Sequence, residues 1–452
     1  MKLLNNFLFL SCLLLVIASC NKEENLNLQQ PVGLGGDVTA QGAVDKWLKD
    51  SLTTPYNIAV KYRWDPWELR LDKTLTPPDE SKIIPAMSAI KRVWIDPYNA
   101  ETGSQLFIKK YSPKQFVLVG SVEYNFGTVI AGQAEGGNNI TFFDVNQNFY
   151  RDNVTSVKEM LHTAHHEFAH ILHQNVLYPQ EYKTISVSRG LPGFTATWFN
   201  VSERQALEWG YITPYSMASS DEDFVEMVSI MLMEGRARFN EILFSISSRA
   251  GREALQEKER AVVDYFLRVY NINFYSLQTR VQAALNALVP PPAAPPVDQL
   301  YGFGKSYTTA SVDPNNQLLL PQPAAFMTIY NNSKNAVAGM RNGITMDSIA
   351  FIQATSSTAV LRVYLGQAGS RFLADFTFTV TKGTNDLYTY TYIGANNNGN
   401  LISTAVAPLV NYFRNNQFSI TWYADPGISD YPRIKFTPQA TPGTFFIARL
   451  LP

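Results

Sequence analysis

Leu161-His162-Thr163-Ala164-His165-His166-Glu167-Phe168-Ala169-His170-Ile171-Leu172-His173-Gln174 decides the reading of this chain, because it holds all five of its histidines. Residues four apart lie on one face of an α-helix, so the imidazoles of His166 and His170 would converge on a single point. Glu167 follows the first of them and projects beside the pair. Val157, Leu161, Ala164, Phe168, Ile171 and Leu172 form an apolar stripe for the opposite face. Asp152 or Asn153 could cap a helix spanning Val154 to Val176.

His166-Glu167-x-x-His170 has the H-E-x-x-H spacing of zinc sites, in which two imidazoles bind the ion and the glutamate takes a proton from an activated water. His166 to His173 spans roughly 10 Å along a helix axis, whereas each zinc bond is about 2 Å. One straight helix therefore cannot bring His162, His166, His170 and His173 to one ion. His162, His165 and His173 are expected to be polar or supporting groups, with His165 rotated off the face. A catalytic zinc needs a third protein ligand, and no histidine exists elsewhere, so an acid must supply it. His173 and Val176 stand where a metzincin pattern needs Gly and His, which excludes that class.

The best source of the acid is Ser219-Ser220-Asp221-Glu222-Asp223-Phe224-Val225-Glu226-Met227. Glu222 and Glu226 are four apart on a helical segment. One could bind zinc while the other accepts a hydrogen bond from a ligand imidazole. Ser219-x-x-Glu222 also reads as a capping box, and Glu203 and Glu208 are rival ligands.

Outward from this centre, residues 38–288 read as mixed α and β. Phe116–Val119, Gly127–Ala131 and Ile140–Phe143 are strand-like, and Ser220–Glu234, Arg252–Tyr270 and Phe274–Leu288 are helical. Ile140–Phe143 or Gly127–Ala131 could be an edge strand that aligns a peptide by main-chain pairing. Residues 289–297 hold five prolines and predict a stiff linker. Residues 298–452 alternate in short runs, from Phe326–Tyr330 through Ala359–Leu365, Phe372–Val380, Leu387–Ile393 and Phe418–Tyr423 to Phe445–Leu450. Turn-rich pieces separate them, which predicts an all-β sandwich-like domain.

At the other end, Lys2 and the apolar run Phe7–Ile17 read as a targeting segment covering residues 1–19. Ile17-Ala18-Ser19-Cys20 resembles a bacterial lipobox, which implies lipidation of Cys20. Asn21-Lys22-Glu23-Glu24 resembles a surface-export signal of Bacteroidetes lipoproteins, and residues 20–37 read as a flexible tether. The expected location is the outer face of the outer membrane, held by the lipid anchor only. Cys12 is the only other cysteine and would leave with the signal, so no disulfide is expected. Hydrophobic residues are 46% and charged residues 17%, a folded composition. A net charge of −1 gives no case for nucleic acid as a partner.

With Tyr215, Glu222, Phe224 and Glu226 downstream of His-Glu-Phe-Ala-His, the chain resembles the gluzincin-type zinc peptidase domain of anthrax lethal factor and its relatives. That resemblance implies an α+β zincin-like metallopeptidase domain. Zn2+ would be held by His166, His170 and Glu222, with Glu226 behind them and Glu167 as general base. Tyr215 would stabilise the oxyanion, with Tyr211 a near rival. Roughly residues 17–290 also resemble a Bacteroidetes family called substrate import-associated zinc metallohydrolase lipoproteins. The match runs through the lipobox, Glu135-Gly136-Gly137, the histidine helix and Glu222–Glu226. It implies cleavage of peptides or glycopeptides before uptake by a SusC and SusD type import pair. The alternative is a zinc-containing lipoprotein that holds ligand for such a transporter without hydrolysis.

Overall fold

The structure is a computed structural model that describes residues 41–63, 69, 73–125, 128–130, 132–135, 139–147, 154–340 and 343–452. The signal segment, Cys20, the tether, Asp152, Asn153, Gly136 and Gly137 lie outside the described residues. Among the described residues, no helix is long and apolar enough to cross a membrane. Trp47–Pro452 forms one compact unit.

The first part of that unit is a small mixed sheet covered by helices. Strands β1 (Ala59–Lys61), β2 (Gln115–Leu118), β5 (Gly132–Glu135) and β6 (Asn139–Phe142) lie in the order β1-β2-β6-β5. The first three neighbours run parallel and β5 runs antiparallel to β6. Strands β3 (Glu123–Asn125) and β4 (Thr128–Ile130) form a separate hairpin. Ile140–Phe143 is thus not an edge, since β6 is paired on both sides. Thr128–Ile130 belongs to the hairpin, and the edge next to β6 is β5. The sequence concealed this because the β6 run is short and apolar, as a doubly covered strand should be.

Helix α1 (Glu80–Ile90) continues through a wider turn into α2 (Asp96–Thr102). Trp94 in that turn bridges the sheet and the histidine helix α3 (Val154–Asn175). Its ring centroid is 5.8 Å from Phe116 on β2 and 5.0 Å from Phe168 on α3. The apolar face of α3 is therefore pinned to the core, and its histidine face turns toward α4 (Ser220–Ser245). Helix α4 breaks at Gly235, whose φ of 72° suits glycine. Gln282, on α6 (Phe274–Leu288), donates to Leu232 O (2.7 Å) and Met233 O (2.9 Å), carbonyls left over at the break. The expected helical end at Glu234 is where this break falls. Helix α5 (Arg249–Tyr270) packs between.

The C-terminal part corrects the sandwich-like, all-β expectation. Strands β7 (Thr309–Val312), β8 (Thr345–Gln353), β9 (Thr358–Gln367), β10 (Ser370–Lys382), β11 (Tyr388–Ala395), β12 (Gln417–Ala424), β13 (Arg433–Pro438) and β14 (Phe446–Leu451) close into one antiparallel barrel. Irregular pairing near Met346/Ser348, Thr377/Phe378 and Trp422/Ala424 bends the sheet. Short β7 seals it by pairing with both β14 and β8. Bulges supply curvature, and closure removes exposed edges. Alternation along a strand is the same in a sandwich and a barrel, so the sequence could not separate them. Phe326–Tyr330 is not a strand but part of helix α7 (Ala324–Ala338), where Phe326, Tyr330, Ser333 and Val337 are buried at helical spacing. Phe413 of α8 (Ala407–Arg414) stacks on Phe351 of β8 at 4.8 Å, so these helices fill the barrel's own core.

Beyond the break, α4 meets the barrel through a buried charge. Glu241 pairs with Arg433 of β13, both essentially inaccessible to solvent. Glu241 also accepts from Ser429 Oγ (2.7 Å) and from Arg238 (2.8 Å), while Arg433 donates to Leu319 O (3.1 Å). Removing one partner of a buried pair costs about 3–5 kcal/mol, because the other charge stays buried. Arg433→Met should lower unfolding free energy by that order in a denaturant titration. The double variant Arg433→Met with Glu241→Leu should recover most of the loss.

Candidate metal centre

Helix α3 presents His162, His166, His170 and His173 toward α4, while His165 turns into the core beside Tyr98, at 6.3 Å between centroids. Burial, helped by nearby His162, pushes His165 down to about 3, so it stays neutral and takes no part in the cluster.

On α4, Ser219 Oγ accepts the Glu222 N–H at 3.2 Å. The serine cap is real, but the Glu222 carboxylate does not reach back to complete a box. It points at the histidines, with Oε2 3.2 Å from His166 Nε2 and 3.3 Å from His170 Nε2. Ligand atoms of these three residues lie within 4.8 Å of one another, close enough to hold one ion. Burial pushes Glu222 up, but His166 and His170 outweigh it and pull it down to about 2.

One turn further along, Glu226 lies behind the cluster. Its Oε1 takes hydrogen bonds from His166 Nδ1 and His162 Nε2, each 2.8 Å, and its Oε2 takes one from Thr213 Oγ1 at 2.7 Å. Fixing the Nδ1 proton of His166 on Glu226 commits Nε2, the nitrogen beside Glu222, to the place a cation would take. Burial opposes charge on His166, yet Glu222 and Glu226 outweigh it and raise it to about 10. The pocket therefore favours positive charge at Nε2, and two imidazoles with one carboxylate are a donor set suited to zinc.

His170 is held differently. Its Nδ1 meets Nε2 of His173 at 3.0 Å. Burial, then the nearby His170, pushes His173 down to about 4, so His173 is neutral. His162 and His173 were expected only as unspecified polar or supporting groups. Their tasks follow from spacing, because His162 is one turn before His166 and His173 one turn after His170. Thr213 carried no signal in the sequence.

Glu167 is buried on the same helix, close enough for its charge to act on both His166 and Tyr215. Tyr215 stacks on the His166 ring at 6.0 Å. Burial first, then the Glu222 carboxylate, raises its pKa, so its hydroxyl keeps its proton for donation. Tyr211 is turned away. It is buried, donates to Pro192 O at 3.0 Å, and lies under the Lys258 ammonium. Glu208 also lies elsewhere, accepting the Ser247 and Ser248 N–H groups at 3.0 and 2.6 Å ahead of α5. Glu203 sits on the same short helix as Glu208, and the group that could hold an ion, His166, His170 and Glu222, does not include it.

Such a centre is what a zinc-dependent hydrolase requires, and comparison with known proteins falls in that class. The chain belongs to the family described as "putative zinc-binding metallo-peptidase", whose family model matches residues 37–275. A crystal structure from Bacteroides caccae with the same description is 26% identical, over 56% of this chain and 97% of its own, with a TM-score of 0.48. No curated protein matches.

Supporting partners of metal ligands typically govern affinity by 10- to 100-fold. His173→Leu should weaken zinc binding by roughly that factor, measured by competition with a chromogenic chelator, while His165→Leu should leave affinity within about twofold.

Proposed function

We propose that this zinc metallopeptidase is of the gluzincin type, with His166, His170 and Glu222 as ligands, Glu167 as general base and Tyr215 as oxyanion donor. The observation that carries the reading is the convergence of Glu222 Oε2 on both imidazoles while Glu226 holds His166 from behind. When bound, zinc acts as a Lewis acid on the scissile carbonyl and makes water acidic enough to attack near neutral pH.

The protein's own groups do the rest. Glu167 accepts a proton from the attacking water on a carboxylate oxygen and passes it to the leaving nitrogen. Tyr215 donates its hydroxyl hydrogen to the oxygen on which charge develops. Glu226 keeps the His166 proton on Nδ1 throughout. The antiparallel edge β5 offers main-chain groups with which an extended peptide can pair.

The same reading places the protein on the cell surface, lipidated at Cys20 in the outer membrane. It would process peptides or glycopeptides for a SusC and SusD type import pair. Ile17-Ala18-Ser19-Cys20 and Asn21-Lys22-Glu23-Glu24 support this.

Glu167→Gln should retain zinc and lose turnover by about 10²–10⁴-fold, the usual weight of a general base. Tyr215→Phe should retain zinc and lower kcat by about 10²–10³-fold with a smaller change in KM. Metal analysis and peptide-library cleavage on the same preparations check both. Zinc without cleavage in the wild type would favour the ligand-holding role.

A further inference from the structure

Between Arg189 and Glu203 the chain runs Gly190-Leu191-Pro192-Gly193-Phe194-Thr195-Ala196-Thr197-Trp198-Phe199-Asn200-Val201-Ser202, without one charged side chain. This segment is fixed against the turn that carries Tyr215. Thr195 N–H donates to Met217 O at 2.8 Å, and Tyr211 donates to Pro192 O at 3.0 Å. Trp198 and Val201 pack on Ala206, Tyr211 and Met217.

A file of rings leads from the metal centre onto it. His166 stacks on Tyr215 at 6.0 Å, Tyr215 meets Trp198 at 4.9 Å, and Trp198 meets Phe199 at 5.9 Å. The outer end is open to solvent, with Phe199 62% exposed; Tyr215 within the file and Phe194 beside it are each 37% exposed. Exposed aromatic rings that adjoin a reactive centre mark a surface that something else covers.

We infer that Trp198 and Phe199 floor a subsite that seats a large apolar side chain of the peptide substrate, aromatic above all, beside the cleaved bond. This inference rests on the peptidase reading and adds the substrate class. An aromatic side chain laid here would find edge-to-face partners at both rings. A charged side chain would lose hydration with no opposite charge in the segment. A sugar would need hydrogen-bonding groups beside the rings. The threonines are turned to each other, with Thr195 Oγ1 3.0 Å from Thr197 Oγ1 and 3.2 Å from Thr197 N.

Cleavage sites from a peptide library, read by mass spectrometry, test this in the full chain. Wild type should favour Phe over Ala at one position next to the cleaved bond by roughly 10- to 200-fold, the range for apolar pockets. Phe199→Ala should shrink that ratio about tenfold with zinc content kept, and Phe199→Leu should restore much of it. A preference for charged or glycosylated residues there, or a ratio that Phe199→Ala leaves unmoved, overturns the inference. Binding to the Glu167→Gln protein separates the subsite from turnover. Peptides that differ only by Phe or Ala should differ in affinity, and Phe199→Ala should abolish the difference. If wild type cleaves no peptide, the peptidase reading fails, yet this binding contrast still decides the subsite, and equal affinities sink it.

Discussion

The carboxylate of Glu226 receives three hydrogen bonds from two separate parts of the chain: from His166 and His162 on α3, and from Thr213 on the turn before Tyr215. A buried carboxylate is costly unless each oxygen is satisfied, so these three donors and the acid fix one another. Burial works to protonate Glu226, but His162 and His166 hold it well below the usual carboxylate range. The orientation of His166, the packing of α3 on α4 and the placement of the Tyr215 turn all follow from one ionised group staying satisfied.

Three consecutive acids at the start of α4 show how helix geometry divides labour. Asp221 accepts the Tyr178 hydroxyl, Glu222 faces the histidines, and Asp223 turns inward to Lys258 of α5 at 2.6 Å. Lys258 also donates to Gly210 O at 2.7 Å, so the pair on the far face of α4 steadies the chain that leads to Tyr215. The two imidazoles are unequally supported, His166 by an anion and His170 by a neutral ring. An anionic partner raises ligand basicity more than a neutral one does.

The histidine helix was legible because the i,i+4 rule is strict and histidine occurs nowhere else in the chain. The four long helices were visible in their periodicity, except that the one from Ser220 was read only to Glu234 and runs past the Gly235 break to Ser245, whereas β1 and β7, of three and four residues, were too short to show any. Barrel closure depends on which strands meet at the two ends of the sheet, and no local pattern carries that. Phe326–Tyr330 misled because an aromatic run of five residues fits both periods. Thr213 and the ring file through Trp198 depend on a turn folding back over α3. Such contacts arise from tertiary placement and leave no spacing to read.

The buried pair between Glu241 and Arg433 bears on how this architecture can change over evolutionary time. Helix α4 begins at the histidines and runs, past Gly235, to a buried carboxylate that Arg238 of the helix shares with Arg433 of the barrel. A peptidase that lost its barrel would leave that carboxylate uncovered, and one that acquired a foreign partner would need a cation in the same place. Shuffling of the two halves is thereby constrained: they must be inherited together, or be separated only after position 241 has become neutral.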